Sequence, residues 1–428
     1  MIKTITTGIK KLLEKGFFHL FFSNFLIQFM VFGSQMLVAG LLLPEDLGRI
    51  KVLQTIVDVA SIIAGGGLVV AVLKMVPETS NRTKQKFVLQ YSLKHAFLFS
   101  IGFFLILNIL SFLGLLSSDS EINSFFPAFS IVLLASPISL IMVRYFQALD
   151  HFKKVSVIQF FTKTLSVGFI IAFTYFYLLK GYVLGVVLGF IITLIYLLYA
   201  LKSDIFKSSF IDTNIKNKLV KQITNLSKFN FFGQLSDQLR IYAGFFIANY
   251  FILDREIFGQ YSFALILIQG LGVVSSSVQQ FVLPKFSKLS GNKPLFFKEL
   301  RSYEKKYFVI TLLIFLGAQM IIPLMVDVLF SGKYNAAIPY FRVLLFGWLI
   351  FSAFTLKGAA FIGLGRLDIS FKISFYVLLL IIPLLGLLCY YYGIWSVVFG
   401  YVLQNVLNYF ISYRFIKSVK KETLNQCL

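Results

Sequence analysis

The chain has 428 residues, of which 58% are hydrophobic, and its mean hydropathy is +0.84. That balance excludes a soluble globular protein of this length and predicts a membrane protein. The formal net charge is +22, but the lysines lie between apolar runs, so nucleic acid is not an expected partner. The two cysteines, Cys389 and Cys427, predict no disulfide framework.

Apolar segments long enough to cross a bilayer recur twelve times, each spanning helix needing about 20 apolar residues. They lie at 17–43, 52–73, 96–116, 128–148, 155–179, 182–201, 229–253, 260–283, 307–330, 343–362, 373–391 and 396–413. The first segment follows four lysines, as in a signal peptide. It is too long for a signal-peptide core and no clear cleavage site follows, so we predict a retained helix.

The distribution of basic residues predicts the orientation. With both termini in the cytoplasm, the inner segments hold 30 of the 40 lysines and arginines. The outer loops then hold six: Arg49, Lys51, Lys180, Arg255, Lys333 and Arg342. Because cytoplasmic segments are enriched in basic residues, the opposite orientation is rejected.

The chain contains an internal repeat with an offset of 211 residues. Glu45 matches Glu256 and Gly48 matches Gly259, and the segment 186–189 matches 397–400. Each half has an even number of spans, so the halves are parallel repeats, an architecture typical of transporters. We therefore predict an all-α polytopic membrane protein with twelve transmembrane helices, in two parallel six-helix repeats around a central cavity. The predicted bundles are 1–201 and 229–428, joined by a basic cytoplasmic linker at 202–228.

Ionisable side chains at membrane depth are the candidate functional residues. The bases are Arg144, Lys163, Arg240 and Lys357, and the acids are Asp58 and Asp237. A charge at the centre of a helix facing lipid costs at least ~2.5–3.5 kcal/mol, so these groups are expected to face the protein interior. An excess of bases over acids favours an anionic substrate, with the four bases as lumen cations.

Several of these residues have two interpretations. Asp237 and Arg240 share a helix face with Gln234 and form either a structural ion pair or part of the lumen lining. Asp58 and Gln269 are 211 residues apart on matching polar stripes, which line a shared cavity or hydrogen-bond neighbouring helices.

The remaining three bases differ in their distance from the cytoplasmic interface. Lys163 and Lys357 have no acid close in sequence and either bind an anion in the lumen or extend towards the interface. Arg144 is six residues from Asp150 and is expected to reach the interface.

Other local signals concern packing and catalysis. Gly181, Gly185 and Gly189 recur every four residues and predict close helix packing. The chain has no G-x-x-x-x-G-K-[ST], H-E-x-x-H or G-x-S-x-G motif, and its three histidines are scattered. We therefore expect no enzyme activity, no cofactor and no metal site.

Five segments resemble one family. They are LLLPEDLG at 41–48, GGGL at 65–68, FGQLSDQLR at 232–240, FGQYSFA at 258–264 and LPKFS at 283–287. The chain resembles the polysaccharide-transporter branch of the multidrug/oligosaccharidyl-lipid/polysaccharide exporter (MOP) superfamily, whose best-known members are Wzx-type O-antigen flippases. MurJ-type lipid II flippases carry two further helices that this chain lacks.

The resemblance implies a function. It implies a bacterial inner-membrane flippase for undecaprenyl-diphosphate-linked oligosaccharide, which works by alternating access for O-antigen, capsule or exopolysaccharide synthesis. The implied partners are lipid-linked oligosaccharide, membrane lipids, a proton or sodium gradient and a polysaccharide polymerase. One alternative is an ion-coupled multidrug or small-molecule exporter of the same superfamily, which would need an acid-rich site for cationic substrates. A second is a membrane-embedded glycan polymerase or transferase, which would need a large outer loop. A third is a scaffold without transport.

Overall fold

The computed structural model describes residues 17–79, 81–206 and 212–425. These residues form fourteen helices and no strand. The helices are α1 Phe17–Leu41, α2 Pro44–Gly65, α3 Leu68–Met75, α4 Arg82–Phe112, α5 Ser120–Phe129, α6 Ile131–Ala148, α7 Phe152–Ala200, α8 Lys202–Ile205, α9 Thr213–Phe251, α10 Arg255–Leu289, α11 Lys293–Phe330, α12 Ala337–Gly363, α13 Leu367–Tyr392 and α14 Ile394–Asn425.

The described helices account for the twelve predicted spans. Nine are long and apolar enough to cross a membrane, or ten when the bent pair α2–α3 is one span. Helix α7 is two helices, 152–177 and 179–200, merged across a break at Leu178. Helix α9, with 39 residues, is long enough to be the remaining span. The prediction of an all-helical, twelve-span membrane protein is confirmed.

Three helices begin well before the predicted spans. Helix α4 begins at Arg82, α9 at Thr213 and α11 at Lys293. Hydropathy detects only the part of a helix that crosses hydrocarbon, whereas the backbone hydrogen bonds continue into the polar flank. Asparagine caps mark two of these starts: Asn81 accepts from the amides of residues 83 and 84, and Asn292 from that of Leu295. The predicted linker is thus partly helical; its residues 207–211 lie outside the described residues.

The chain reverses direction in the same way in both halves. Leu178 has φ 52° and ψ −130°, and Gly393 has φ 55° and ψ −136°. Each is preceded by three exposed aromatic residues, YFY at 175–177 and YYY at 390–392. Exposed aromatic side chains are typical of the membrane–water interface, so these reversals mark one boundary of the membrane.

By compactness, the chain divides into two units. Unit 1 is Met1–Leu41 with Val52–Leu235, and unit 2 is Leu42–Lys51 with Ser236–Leu428. Each unit has its own apolar core: unit 1 around Val72, Ile141 and Met142, and unit 2 around Phe286 and Ile373 among others. Helices α2 and α9 each contribute residues to both units.

The predicted role of the glycines in unit 1 is confirmed. A Cβ built on Gly185 would lie 2.7 Å from the Cα of Ile170, and one on Gly181 would collide with the carbonyl of Phe173. A Cβ on Gly189 would collide with Ser166. The two halves of α7 therefore pack backbone to backbone, an approach that a larger residue would prevent.

A buried carboxylate fixes the short helix α8 to unit 1. Asp204 is 5% exposed and accepts hydrogen bonds from Arg82 at 2.5 Å and from the Tyr145 hydroxyl at 3.2 Å. The ammonium of Lys86 lies 3.4 Å from its second oxygen, and Gln90 donates to the carbonyl of Asp204 at 2.9 Å. This cluster ties the end of the last span of unit 1 to the start of α4.

Candidate functional site

In unit 1, Asp58 on α2 and Lys163 on α7 lie near each other. Both side chains are exposed, although their neighbours Val57 and Thr162 are buried. The carboxylate of Asp58 acts electrostatically on the ammonium of Lys163, which also lies 5.3 Å from the centre of the Phe190 ring. Lys163 therefore has a carboxylate and an aromatic ring as neighbours.

A second polar contact lies one turn earlier on α2. Gln54 donates to the hydroxyl of Tyr182 at 2.6 Å, and Tyr182 is 6% exposed. The contact joins α2 to the second half of α7. Because Asp58 also acts electrostatically on Tyr182, this contact belongs to the same polar cluster as Lys163.

In unit 2, Asp237 and Arg240 form the ion pair that their spacing predicts. Arg240 Nη2 lies 2.6 Å from Asp237 Oδ1, and their side chains are 10% and 45% exposed. The Ser374 hydroxyl on α13 donates to the same oxygen at 3.0 Å. With its amide oriented to satisfy both groups, Gln404 on α14 accepts from Arg240 Nη1 at 2.9 Å and donates to the Arg240 carbonyl at 3.1 Å. These contacts join α9, α13 and α14.

Lys357 is not the unpaired base that its local sequence predicts. Its ammonium is 3.0 Å from Glu304 Oε1 on α11 and 4.4 Å from the centre of the Tyr409 ring on α14. The side chain of Lys357 is 6% exposed and that of Glu304 is 28% exposed. The prediction was wrong because α11 begins fourteen residues before the predicted span and brings Glu304 to Lys357.

The other predicted site residues lie on α6, α9 and α10. Arg144 is half-buried, and its Nη1 donates to Gln147 at 2.7 Å on the next turn of α6. Gln234 is half-buried on α9, three residues before Asp237. Gln269 is exposed on α10.

The repeat relates parts of these sites. Asp58 and its match Gln269 are both exposed next to a buried segment, 55–57 in one half and 266–268 in the other. Lys163 matches Ser374, and each lies near an aspartate of its own unit. In unit 1 the base is Lys163, whose side chain is exposed. In unit 2 the base is Arg240, which is buried and bonded to Asp237 and Gln404.

Comparison with known proteins identifies the family. The model of the family described as "Polysaccharide biosynthesis protein" matches residues 13–290, well over half of the chain. The chain belongs to this polysaccharide biosynthesis family. A search of curated protein sequences finds no match for this family member.

Solved structures show the fold that this family member shares. An inward-facing multidrug-resistance MATE transporter of the MOP superfamily matches with a TM-score of 0.74 and 16% identity, over 92% of this chain and 96% of that chain. The lipid II flippase MurJ, in an inward closed conformation, matches with a TM-score of 0.71 and 14% identity, over 92% of this chain and 87% of that chain. A MOP superfamily transporter from Pyrococcus furiosus, described as having a binding pocket of reverse polarity, matches with a TM-score of 0.62 and 13% identity. The match covers 96% of both chains. The family member is thus a multi-pass membrane protein with the MOP transporter fold.

Sequence reasoning missed the partners of the candidate charges. Glu304 lies between the predicted spans 260–283 and 307–330, while Ser374, Gln404 and Tyr409 are ordinary residues of their helices. Only the repeat offered a signal, since Ser374 is 211 residues from Lys163. No cluster of three or more metal-ligating side chains occurs within the described ranges.

The arrangement separates the four predicted cations by accessibility. Arg240 and Lys357 are buried and paired with acids, so removal of either acid would leave a buried charge without its counter-ion. Arg144 bonds within its own helix. Lys163 alone among these four is exposed, and Asp58 and the Phe190 ring are its neighbours.

Proposed function

We propose that this protein is a flippase that moves undecaprenyl-diphosphate-linked oligosaccharide repeat units across the bacterial inner membrane by alternating access. The units would serve O-antigen, capsule or exopolysaccharide synthesis. Membership of the polysaccharide biosynthesis family carries this proposal. The MOP transporter fold and an accessible lysine at membrane depth support it.

The chemistry of the proposed cargo suits Lys163. A diphosphate needs cationic partners once it leaves water, and charge-assisted hydrogen bonds to phosphate oxygens are among the strongest available. Lysine is a compact point charge that can follow a moving phosphate. Asp58 stabilises the ammonium before cargo arrives and competes with the phosphate for it afterwards, so binding stays reversible. The lipid tail can remain in the bilayer while the head group crosses.

The chain has no nucleotide-binding motif, so we infer that the energy comes from elsewhere. The two candidate sources are an ion gradient and consumption of the flipped product on the outer side, for example by a polysaccharide polymerase. Both are consistent with a carrier whose two halves are parallel repeats.

Deletion of the gene followed by a leaflet assay tests the function. We expect lipid-linked repeat units to accumulate on the cytoplasmic face while polymer disappears from the cell surface. Normal surface glycan after a clean deletion, in a strain without a second flippase, would contradict the proposal. Loss of resistance to cationic dyes with normal glycan would favour a multidrug exporter instead.

Substitution of Lys163 tests the proposed site within the same strain. Lys163→Gln should lower surface glycan at least tenfold at unchanged protein abundance, whereas Lys163→Arg should retain most of it. Lys180→Gln is the matched control, because Lys180 is also exposed but lies near the reversal at Leu178. Equal activity of Lys163→Gln and Lys180→Gln would show that Lys163 does not bind the cargo. That result would not bear on the proposed flippase function, which the deletion tests.

A further inference from the structure

Backbone packing within α7 brings Phe190 next to Lys163. The close glycine contacts between the two halves of α7 include Gly189, on which a Cβ would collide with the side chain of Ser166. Lys163 lies one turn before Ser166, and Phe190 directly follows Gly189. The ammonium of Lys163 accordingly lies 5.3 Å from the centre of the Phe190 ring. Because this distance allows a cation–π interaction, the ring is a direct partner of the ammonium.

The ring differs in chemistry from Asp58, the other neighbour of Lys163. Asp58 acts on the ammonium as a negative charge. An aromatic face attracts an ammonium through its quadrupole and bears no formal charge. It covers one side of a group that has three N–H donors. The ring therefore stabilises the positive charge of Lys163 without neutralising it.

The repeat places an aromatic residue at the equivalent position of unit 2. Phe190 matches Tyr401 at the offset of 211, and both follow a glycine. The Tyr401 ring is tightly packed, since a Cβ built on Gly347 would lie 2.6 Å from one of its carbons. Arg240 acts electrostatically on Tyr401. Each unit thus has an aromatic residue at this position within range of a base, which comes from α7 in unit 1 and from α9 in unit 2.

We propose that Phe190 is a positioning residue of the site at Lys163. A lysine side chain has a flexible four-carbon stem, and ordering such a chain on binding lowers affinity. The Phe190 ring holds the ammonium in place beforehand, so an arriving diphosphate meets a charge that is already ordered. This role rests on the proposed function for the identity of the anion, whereas the placement of the ammonium can be measured without any cargo.

Nuclear magnetic resonance of methylated lysines measures that placement. Reductive methylation with ¹³C-formaldehyde gives each lysine a separate signal, and the Lys163 signal is the one missing from Lys163→Arg. The Phe190 ring current should shift this signal; Phe190→Leu should abolish the shift, and Phe190→Tyr should keep it. Phe161→Leu is the matched control and should leave the signal unchanged. Phe161 is exposed on the same helix, but at a spacing of two residues it does not share the face of Lys163.

Calorimetric titration with farnesyl diphosphate, a short prenyl diphosphate, tests the consequence for binding. Phe190→Leu should weaken binding about two- to thirtyfold, which corresponds to the loss of one cation–π interaction. Phe190→Tyr should bind within about twofold of the wild-type protein, since tyrosine also presents an aromatic face. Phe161→Leu should bind like the wild type. If Phe190→Leu accumulates poorly, Phe190→Met takes its place, because methionine adapts to irregular gaps.

An unchanged Lys163 signal in Phe190→Leu would overturn the placement of the ammonium. Unchanged farnesyl diphosphate binding in that variant, or no binding to the wild-type protein, would overturn the positioning role. Neither result bears on the flippase proposal, which the deletion assay tests separately. Conversely, weakened binding in Phe190→Leu, in a protein whose deletion leaves surface glycan intact, would retain the role of Phe190 toward a diphosphate and reject the proposed transport.

Discussion

Replacement of Arg240 separates a structural role from cargo binding. Arg240→Ala removes a guanidinium that is 10% exposed and hydrogen-bonded to Asp237 and Gln404. A buried hydrogen bond to a charged group contributes about 1.5–3 kcal/mol, which we apply to the Gln404 bond. Asp237 is 45% exposed, so water screens its charge. Its ion pair with Arg240 therefore contributes about 0.5–1 kcal/mol to the free energy of unfolding. The expected loss is about 2–4 kcal/mol of unfolding free energy.

The assay compares stability, abundance and transport in one strain. Arg144→Ala is the control, since Arg144 is half-buried and donates to Gln147 on its own helix. Arg240→Ala should unfold at lower denaturant in mixed micelles, accumulate less protein, and lose surface glycan in proportion to that abundance. A stable, abundant Arg240→Ala protein without transport would refute this reasoning and make Arg240 a cargo contact. Restored activity in Asp237→Asn/Arg240→Gln would support the structural role.

Three further predictions concern stability and orientation. Asp204→Asn should lower stability by about 1–3 kcal/mol in the same unfolding assay, because it weakens a buried hydrogen-bond acceptor shared by two bases and a tyrosine; unchanged stability would show that these bonds are replaced by water. Leu178→Gly should raise stability by about 1 kcal/mol, because φ 52° with ψ −130° strains any residue with a Cβ and Leu178 is 54% exposed; a loss of stability would mean that the side chain packs usefully. Single cysteines at Ser118 and Asn335, but not at Asn217, should react with an impermeant thiol reagent from outside; the reverse pattern would invert the predicted orientation.

Sequence patterns predicted the spanning helices well because the bilayer restricts which backbone structures can cross it. Twelve apolar segments became twelve spans, since each span must satisfy its backbone hydrogen bonds internally. The repeat at an offset of 211 predicted which glycines match, and Gly48 and Gly259 prove to be in contact. Spacing on one helix also predicted the pair of Asp237 and Arg240.

Contacts between distant helices could not be predicted in this way. The pairing of Lys357 with Glu304 depends on how far α11 extends below its apolar segment, and a polar helix flank has no hydropathy signal. Likewise, the enclosure of Arg240 by Ser374 and Gln404 depends on the packing of α13 and α14 against α9. Such partners need three-dimensional information because a single sequence gives only local periodicity.

The assignment of residues 42–51 to unit 2 has a consequence for synthesis of the chain. The carbonyl of Leu42 meets the hydroxyl of Tyr334, which is 292 residues further along. At about 5–20 residues per second, the ribosome needs roughly 15–60 s to reach that tyrosine. Throughout that interval the beginning of α2 lies in the membrane without its final packing partners. Residues 42–51 of the first half therefore reach their final packing only after Tyr334 of the second half has been synthesised. An insertase or chaperone that shields residues 42–51 would act during this interval.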